Sequence, residues 1–264
     1  MIRNNPSLKA IAVLLSAVII LSCGKTKDEV QQKPSDDIPF QLVKAFPHDV
    51  NAFTQGLVVE NGQLYESTGQ AGSWISEVNI VTGEQTKKVI LDDRYFGEGI
   101  TILNGKIYQL TWQSHVGFVY DLKTYKKLKE FTYPYEGWGI THNGTHLIVS
   151  DGTHKLHFLD TTTLKQDHEI AVTYKNAPMS NLNELEFVNG FVYANQWQTN
   201  YILKIDPSNG KVVGRMDLSS LDREIAKFNG NFDVLNGIAY EKQSRSFLIT
   251  GKNWPVMFAL RIKE

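Results

Sequence analysis

The chain has 264 residues, 42% hydrophobic and 21% charged, with 27 basic against 28 acidic side chains and a formal net charge of −1. That is enough apolar material for one large or two modest cores, and the near-neutral balance argues against a nucleic-acid binder, which carries a clustered basic excess. Cys23 is the single cysteine, which excludes an internal disulfide framework and any multi-cysteine zinc or iron–sulfur site.

The chain opens with an export signal. Arg3 and Lys9 precede an uncharged, mostly apolar run from Ala10 to Ser22, and no acid occurs before Asp28. A basic head followed by a dozen apolar residues matches a signal peptide and is short for a transmembrane helix. The run ends Ile20-Leu21-Ser22-Cys23-Gly24. This resembles a bacterial lipobox, in which the cysteine becomes residue one of the mature protein and carries the lipid. Residues 1–22 are expected to be removed, and the polar stretch 23–38 to form a flexible tether. The expected product is an exported lipoprotein of the cell envelope, on the periplasmic face or the outer membrane, touching the membrane through its anchor only.

The remainder, 39–264, is one domain with an internal repeat. A lone strand, Phe40 to Phe46, comes first. Segments starting at Thr54, Gly97, Gly137, Leu182 and Leu235 then share one grammar: a polar or aromatic residue, usually a glycine, an aliphatic, a short turn and a second apolar strand. Asn61-Gly62, Asn104-Gly105, Asn143-Gly144 and Asn189-Gly190 are strong hairpin signals, since both residues tolerate positive φ. Third strands follow at Ser76–Ile80, Phe118–Asp121, Leu156–Asp160 and Ile202–Asp206, and fourth strands at Lys88–Leu91, Leu128–Phe131, Glu169–Val172 and Val212–Met216. Four strands per roughly forty residues is the signature of a β-propeller blade. The expected fold is an all-β, five-bladed β-propeller of four-stranded antiparallel blades. The fifth unit supplies only three strands, so the N-terminal strand completes the last blade and removes an open edge. The longest insertions are 176–182 and 219–231, the second with a short helix over 221–227.

In a ring of blades, residues at one repeat position surround the axis. The slot beside the repeat's glycine holds Gln55, Glu98, Trp138, Asn183 and Asn236; a second slot, past the second strand, holds Gly69, Trp112, Gly152, Trp197 and Lys252. Indole walls with a few convergent polar groups are the usual build of a small-ligand site.

These residues lie in motifs that resemble the glutaminyl-peptide cyclotransferases of the plant and bacterial type. They include Ala52-Phe-Thr-Gln-Gly-Leu57, Phe96-Gly-Glu-Gly-Ile-Thr101, Glu136-Gly-Trp-Gly-Ile-Thr141, Leu182-Asn-Glu-Leu-Glu186, Ala194-Asn-Gln-Trp-Gln-Thr199 and Thr250-Gly-Lys-Asn-Trp-Pro255. The resemblance runs from about Phe40 to the C-terminus; Ala71-Gly72-Ser73-Trp74 departs from it at the substrate rim. It implies conversion of an N-terminal glutamine of a peptide or protein into pyroglutamate with release of ammonia. It also implies an active site at Gln55, Glu98, Trp112, Trp138, Asn183, Trp197 and Lys252.

That reaction suits the residue types. The substrate's own α-amine attacks its γ-carboxamide, so no enzymic nucleophile is needed, and neither a Gly-x-Ser-x-Gly elbow nor a usable cysteine is present. Glu98, the single ring carboxylate, is the candidate to take the amine's proton and return one to ammonia. Gly97 and Gly99 would allow close substrate approach. Trp112, Trp138 and Trp197 would fold the glutamine and exclude water. Gln55 and Asn183 would orient it, and Lys252 would stabilise the oxyanion.

Glu184 and Glu186 are given a buttressing role. His142 and His146 lie across a turn and His154 and His157 on opposite strand faces, so no metal site is expected from either pair. No cofactor is required, although the channel leaves room for a structural divalent ion; a monomer is expected. Asp49, Asp151 and Asp160 are expected to cap turns. Two rival readings are a non-catalytic propeller lipoprotein that binds peptides or scaffolds an envelope complex, and a sugar lactonase. The lactonase would want several acidic metal ligands at the axis. Replacing Cys23 with Ser should leave the protein soluble or unprocessed; normal maturation and unchanged membrane fractionation would contradict the anchor.

Overall fold

The computed structural model describes residues 36–263. The signal peptide, Cys23 and most of the tether lie outside the described residues. Residues 36–38, the end of the expected tether, lie along an outer strand: the Ile38 N–H donates to the Arg215 carbonyl at 2.7 Å, and Arg215 Nε donates to Asp37 at 3.0 Å. Among the described residues, no helix is long and apolar enough to cross a membrane.

The strands form five antiparallel blades. Blade 1 comprises Thr54–Glu60, Gln63–Thr68, Trp74–Val78 and Gln85–Ile90, and blade 2 Gly97–Leu103, Lys106–Thr111, Val116–Asp121 and Lys127–Thr132. Blade 3 is Ile140–His142, His146–Ser150, Lys155–Asp160 and Gln166–Ala171. Blade 4 is Leu182–Val188, Phe191–Gln196, Tyr201–Asp206 and Lys211–Asp217. Its sheet is extended by two short strands, Thr173–Tyr174 and Ala177–Pro178, where the sequence showed an insertion. Blade 5 is Leu235–Glu241, Ser246–Gly251 and Val256–Ile262, completed by the N-terminal strand Phe40–Pro47 in antiparallel register, Phe46 opposite Met257. The innermost strands pack in sequence order, and that of blade 5 returns to that of blade 1. The ring is a five-bladed propeller. The 219–231 insertion carries a single helical turn, Asp222–Ile225, behind a 3₁₀ turn.

Three of the hairpins turn as their Asn-Gly pairs dictate, with φ of 51° and 79° at Asn61-Gly62 and similar values at Asn104-Gly105 and Asn189-Gly190. The fourth differs. At Asn143-Gly144 only the glycine takes a positive φ, 92°, and the Asn143 side chain instead accepts the N–H groups of Thr145 and His146.

Inner strands are buried on both faces, polar residues included, as in Gly97–Leu103. Outer strands are largely exposed and carry lysines such as Lys87, Lys88 and Lys127, which discourage pairing with another chain. One apolar cluster fills each seam between neighbouring blades. The closing seam, between blades 5 and 1, has the smallest, built on Leu57, Leu64, Leu248 and Met257 with two alanines.

That seam also holds a buried ion pair. His48 Nδ1 donates to the Trp254 carbonyl of blade 5 at 2.6 Å, and Nε2 meets Glu66 of blade 1 at 2.9 Å, a carboxylate that also accepts Thr54 Oγ1 at 2.7 Å. Burial alone would depress the imidazolium, but the Glu66 charge and the hydrogen bonds to Glu66 and Trp254 hold it above its ordinary value. The pair therefore contributes fully below the unfolded histidine range of about 6.5 and is lost as pH rises through the raised folded value. His48→Leu, which strands the Glu66 carboxylate, should cost about 3–5 kcal/mol in denaturant unfolding. The double variant His48→Leu, Glu66→Leu should recover much of that loss. Equal destabilisation of the single and double variants would show that the charge pairing does not matter.

Candidate active site

The inner strands break register at one repeat position. In blade 1, Thr54 pairs with Thr68 and Gly56 with Ser67, leaving Gln55 without a ladder partner. The same slip leaves Glu98, Asn183 and Asn236 unpaired in blades 2, 4 and 5. Such a bulge bends the strand and re-aims the side chain. The backbone groups it frees are taken up by the preceding blade. Ser67 Oγ donates to the Glu98 carbonyl at 2.6 Å, Ser150 Oγ to the Asn183 carbonyl at 2.7 Å, and Asn195 Oδ1 accepts the Gly237 N–H at 2.8 Å. Ser67 is held in turn by Gln109 and Gln109 by Tyr120.

The result is a cavity of about 240 Å³ lined by Phe53, Gln55, Phe96, Glu98, Trp112, Trp138, Asn183, Trp197 and Lys252. The structure thus brings together all seven pocket residues expected from the sequence, from every blade. Trp138 stands edge-on to Trp197 at 5.5 Å, and Phe96 to Trp112 at 5.6 Å. Glu98 is 4% exposed and Lys252 6%, whereas Trp112, at 37%, forms part of the mouth.

Gln55 is engaged by protein. Its Nε2 donates to Glu98 Oε1 at 3.0 Å and its Oε1 accepts Asn236 Nδ2 at 3.2 Å, so Asn236 sits behind the pocket and steadies Gln55. Asn183 Oδ1 is buried without a hydrogen-bond partner among the described residues, an acceptor waiting for a donor. The Lys252 ammonium lies 4.7 Å from the Phe53 ring centre.

Burial pushes the Glu98 carboxyl well above the usual carboxylate range; the Lys252 charge opposes this and the Glu136 charge adds to it. Burial likewise pulls Lys252 below its ordinary value, against the attraction of Glu98 and Asp233. Each group holds the other partly charged in a site that disfavours charge.

The glycines serve the protein rather than the ligand. A Cβ on Gly97 would meet the Thr68 carbonyl oxygen at 2.6 Å, and one on Gly99 the Trp138 carbonyl oxygen at 2.8 Å. They admit the neighbouring strand, not substrate as the sequence suggested. At Gly152, φ is 78° and a Cβ would fall 2.6 Å from the Trp138 indole, so the glycine gives that ring its bed.

Three residues at the pocket were not singled out from the sequence: Phe53, Phe96 and Glu136. Each sits two residues before a ring position, in the connecting segment that leads into the inner strand. Glu136 accepts Trp112 Nε1 at 2.7 Å and Trp138 Nε1 at 3.0 Å.

Glu184 and Glu186 point down the axis. Glu184 is fully buried and accepts the N–H groups of Leu57 and Ile238, tying blades 1, 4 and 5; Glu186 accepts that of Tyr240. Burial raises both carboxyls, Glu186 to about 8. Asp49, Asp151 and Asp160 do cap turns. Elsewhere, on blade 3, His146, Asp167 and His168 gather ligand atoms within 4.8 Å of one another; none of them lines the pocket.

A family model described as glutamine cyclotransferase matches residues 14–262. The chain is 39% identical over 228 residues to a glutaminyl-peptide cyclotransferase of Arabidopsis thaliana, covering 85% of this chain and 71% of the relative. The crystal structure of Myxococcus xanthus glutaminyl cyclase superposes with a TM-score of 0.81 at 34% identity, over 85% of this chain and 96% of that one. With the pocket residues delivered by repeat motifs that run through all five blades, the chain belongs to the glutamine cyclotransferase family.

Proposed function

We propose that this protein converts the N-terminal glutamine of peptides or proteins into pyroglutamate with release of ammonia, an aminoacyl-type acyl transfer within one substrate molecule. The observation that carries the reading is the single buried carboxylate, Glu98, inside an aromatic pocket too small for a drug-sized ligand. A relative named for this activity is matched over 71% of its length, and a solved structure named for it shares the fold over 96% of its chain.

The residues divide the work as follows. Trp112, Trp138 and Trp197 press the glutamine side chain back on its own amine, an orientation that in ideal intramolecular cases supplies ~7–11 kcal/mol of a barrier. Glu98 Oε1 is held by Gln55, leaving Oε2 to accept a proton from the α-amine as its nitrogen bonds to the γ-carbon. The same oxygen then returns the proton to the amide nitrogen as the C–N bond breaks, so ammonia leaves and the lactam remains. Asn183 Oδ1 accepts a substrate N–H, and the Lys252 ammonium faces the oxygen that becomes negative. The nucleophile, electrophile and leaving group all belong to the substrate, so the chemistry calls for no cofactor. We place the enzyme at the cell envelope, anchored through Cys23 and acting as a monomer.

Ammonia release from a Gln-initiated dipeptide tests the reading. Glu98→Gln keeps size and hydrogen bonding but cannot exchange a proton, so kcat should fall ~10²–10⁴-fold with little change in KM. Trp197→Ala should raise KM as well. Only ionised Glu98 acts as base and only the neutral α-amine attacks, so below the substrate amine's ionisation at about 7.7–8.0 the acidic limb of kcat/KM should contain a second ionisation, above the ordinary carboxylate range of about 4.3 and absent in Glu98→Gln. Near-normal turnover in Glu98→Gln, or a second ionisation in the ordinary range, would move the proton shuttle elsewhere.

A further inference from the structure

Glu136 is not among the residues that line the cavity, yet it binds two of the indoles that do. One of its oxygens accepts both indole N–H groups, Trp112 Nε1 at 2.7 Å and Trp138 Nε1 at 3.0 Å; the other accepts Gln113 Nε2 at 3.0 Å. Trp112 ends the second strand of blade 2, and Trp138 leads into blade 3, so the carboxylate spans a blade seam. Trp138 in turn braces Trp197 edge-on, while Trp112 rests on Phe96. We propose that Glu136 is the positioning residue of this pocket, a carboxylate clamp that fixes the two indole walls between which the substrate glutamine folds.

The proposal rests on the reading of the site as a glutaminyl cyclase. Its physical basis is direct. Trp112 is partly exposed and packs edge-on to Phe96, and its N–H bond to Glu136 is the polar contact that fixes the ring's rotation. An indole carries one donor and no acceptor, and a single anionic oxygen satisfies two such donors with charge-assisted bonds about twice as strong as neutral ones. Burial would raise the Glu136 carboxyl, but the bonds from Trp138, Gln113 and Trp112, with the nearby His115, hold it below its usual value. A standing negative charge at the mouth follows. It faces the positively charged amino terminus of an arriving peptide and, across the pocket, Glu98.

Three titratable groups bear on Glu98 or border it. Lys252, from blade 5, lowers its pKa; Glu136, from the entry to blade 3, raises it; the Tyr133 phenol, hydrogen-bonded to Thr111, feels the Glu98 charge. A clamp with this charge should therefore leave two separable marks, one on wall geometry and one on the pH profile. Glu136→Gln retains an oxygen for the indoles but turns its amide nitrogen toward the Gln113 donor and removes the charge. Glu136→Ala removes the oxygen as well.

The test combines steady-state kinetics on a Gln-initiated dipeptide with tryptophan emission. In Glu136→Ala, kcat/KM should fall about 10–100-fold, chiefly through KM. Its emission should shift, and the shift should vanish when the same change is made in a chain carrying Trp112→Phe and Trp138→Phe. Glu136→Gln should restore most of KM and the emission, while moving the Glu98 ionisation in kcat/KM to lower pH because Glu98 loses a repelling neighbour. An unchanged KM and emission in Glu136→Ala would overturn the clamp. Absence of ammonia release by the unaltered protein would refute the cyclase reading itself, and the emission measurements would still decide whether Glu136 holds the walls.

Discussion

The site depends on one constraint: an inner strand must leave its ladder at the point where it faces the pocket, and its freed backbone groups must find partners nearby. An unpaired buried amide or carbonyl costs about as much as a lost hydrogen bond. Here the preceding blade supplies the partner, Ser67 for Glu98, Ser150 for Asn183 and Asn195 for Gly237. Glu98 and Asn183 are thereby held by two blades each, their own by covalent connection and the preceding one by a polar latch. The pocket has its shape because the blades have settled against one another. A change at Gln109 would therefore reach Glu98 through Ser67 without touching it.

The same packing sets the electrostatics. Glu98 and Lys252 come from blades 2 and 5, and neither is stable as an isolated charge at that depth. Bringing them to one cavity lets the charge of each oppose the shift that burial imposes on the other. Down the axis, Glu184 and Glu186 meet backbone N–H groups, so the propeller channel is a second acidic column whose business is holding blades together.

Much of this was legible in the sequence because a repeat converts spacing into geometry. Asn61-Gly62 and its equivalents marked the hairpins, and the shared slot at Gln55, Glu98, Trp138 and Asn183 marked the ring before any blade was seen. What escaped did so for identifiable reasons. Phe53, Phe96 and Glu136 lie two residues before ring positions in the connecting segments, where no strand period marks a side chain's direction. Gly97 and Gly99 looked like openings for substrate, and only the approach of the next strand shows that they are openings for backbone. His48 lies in a connecting segment with no period, and its partners come from blades 1 and 5. His146, Asp167 and His168 stand on strands separated by a third, an adjacency that no single-strand pattern encodes.

The closing strand has a consequence for how the chain comes into being. Phe40–Pro47 is the first strand of the domain to be synthesised, and its partner, Val256–Ile262, is the last. Contacts between such distant segments form slowly, because the loop between them must be closed before any bond repays its entropy. Until the last strand is made, the first strand waits as an unpaired edge. Gln55 and Lys252, which flank the closing seam, share a pocket only when that edge is filled. The activity is therefore a property of the finished chain: a nascent or truncated one would hold several complete blades and still lack a site.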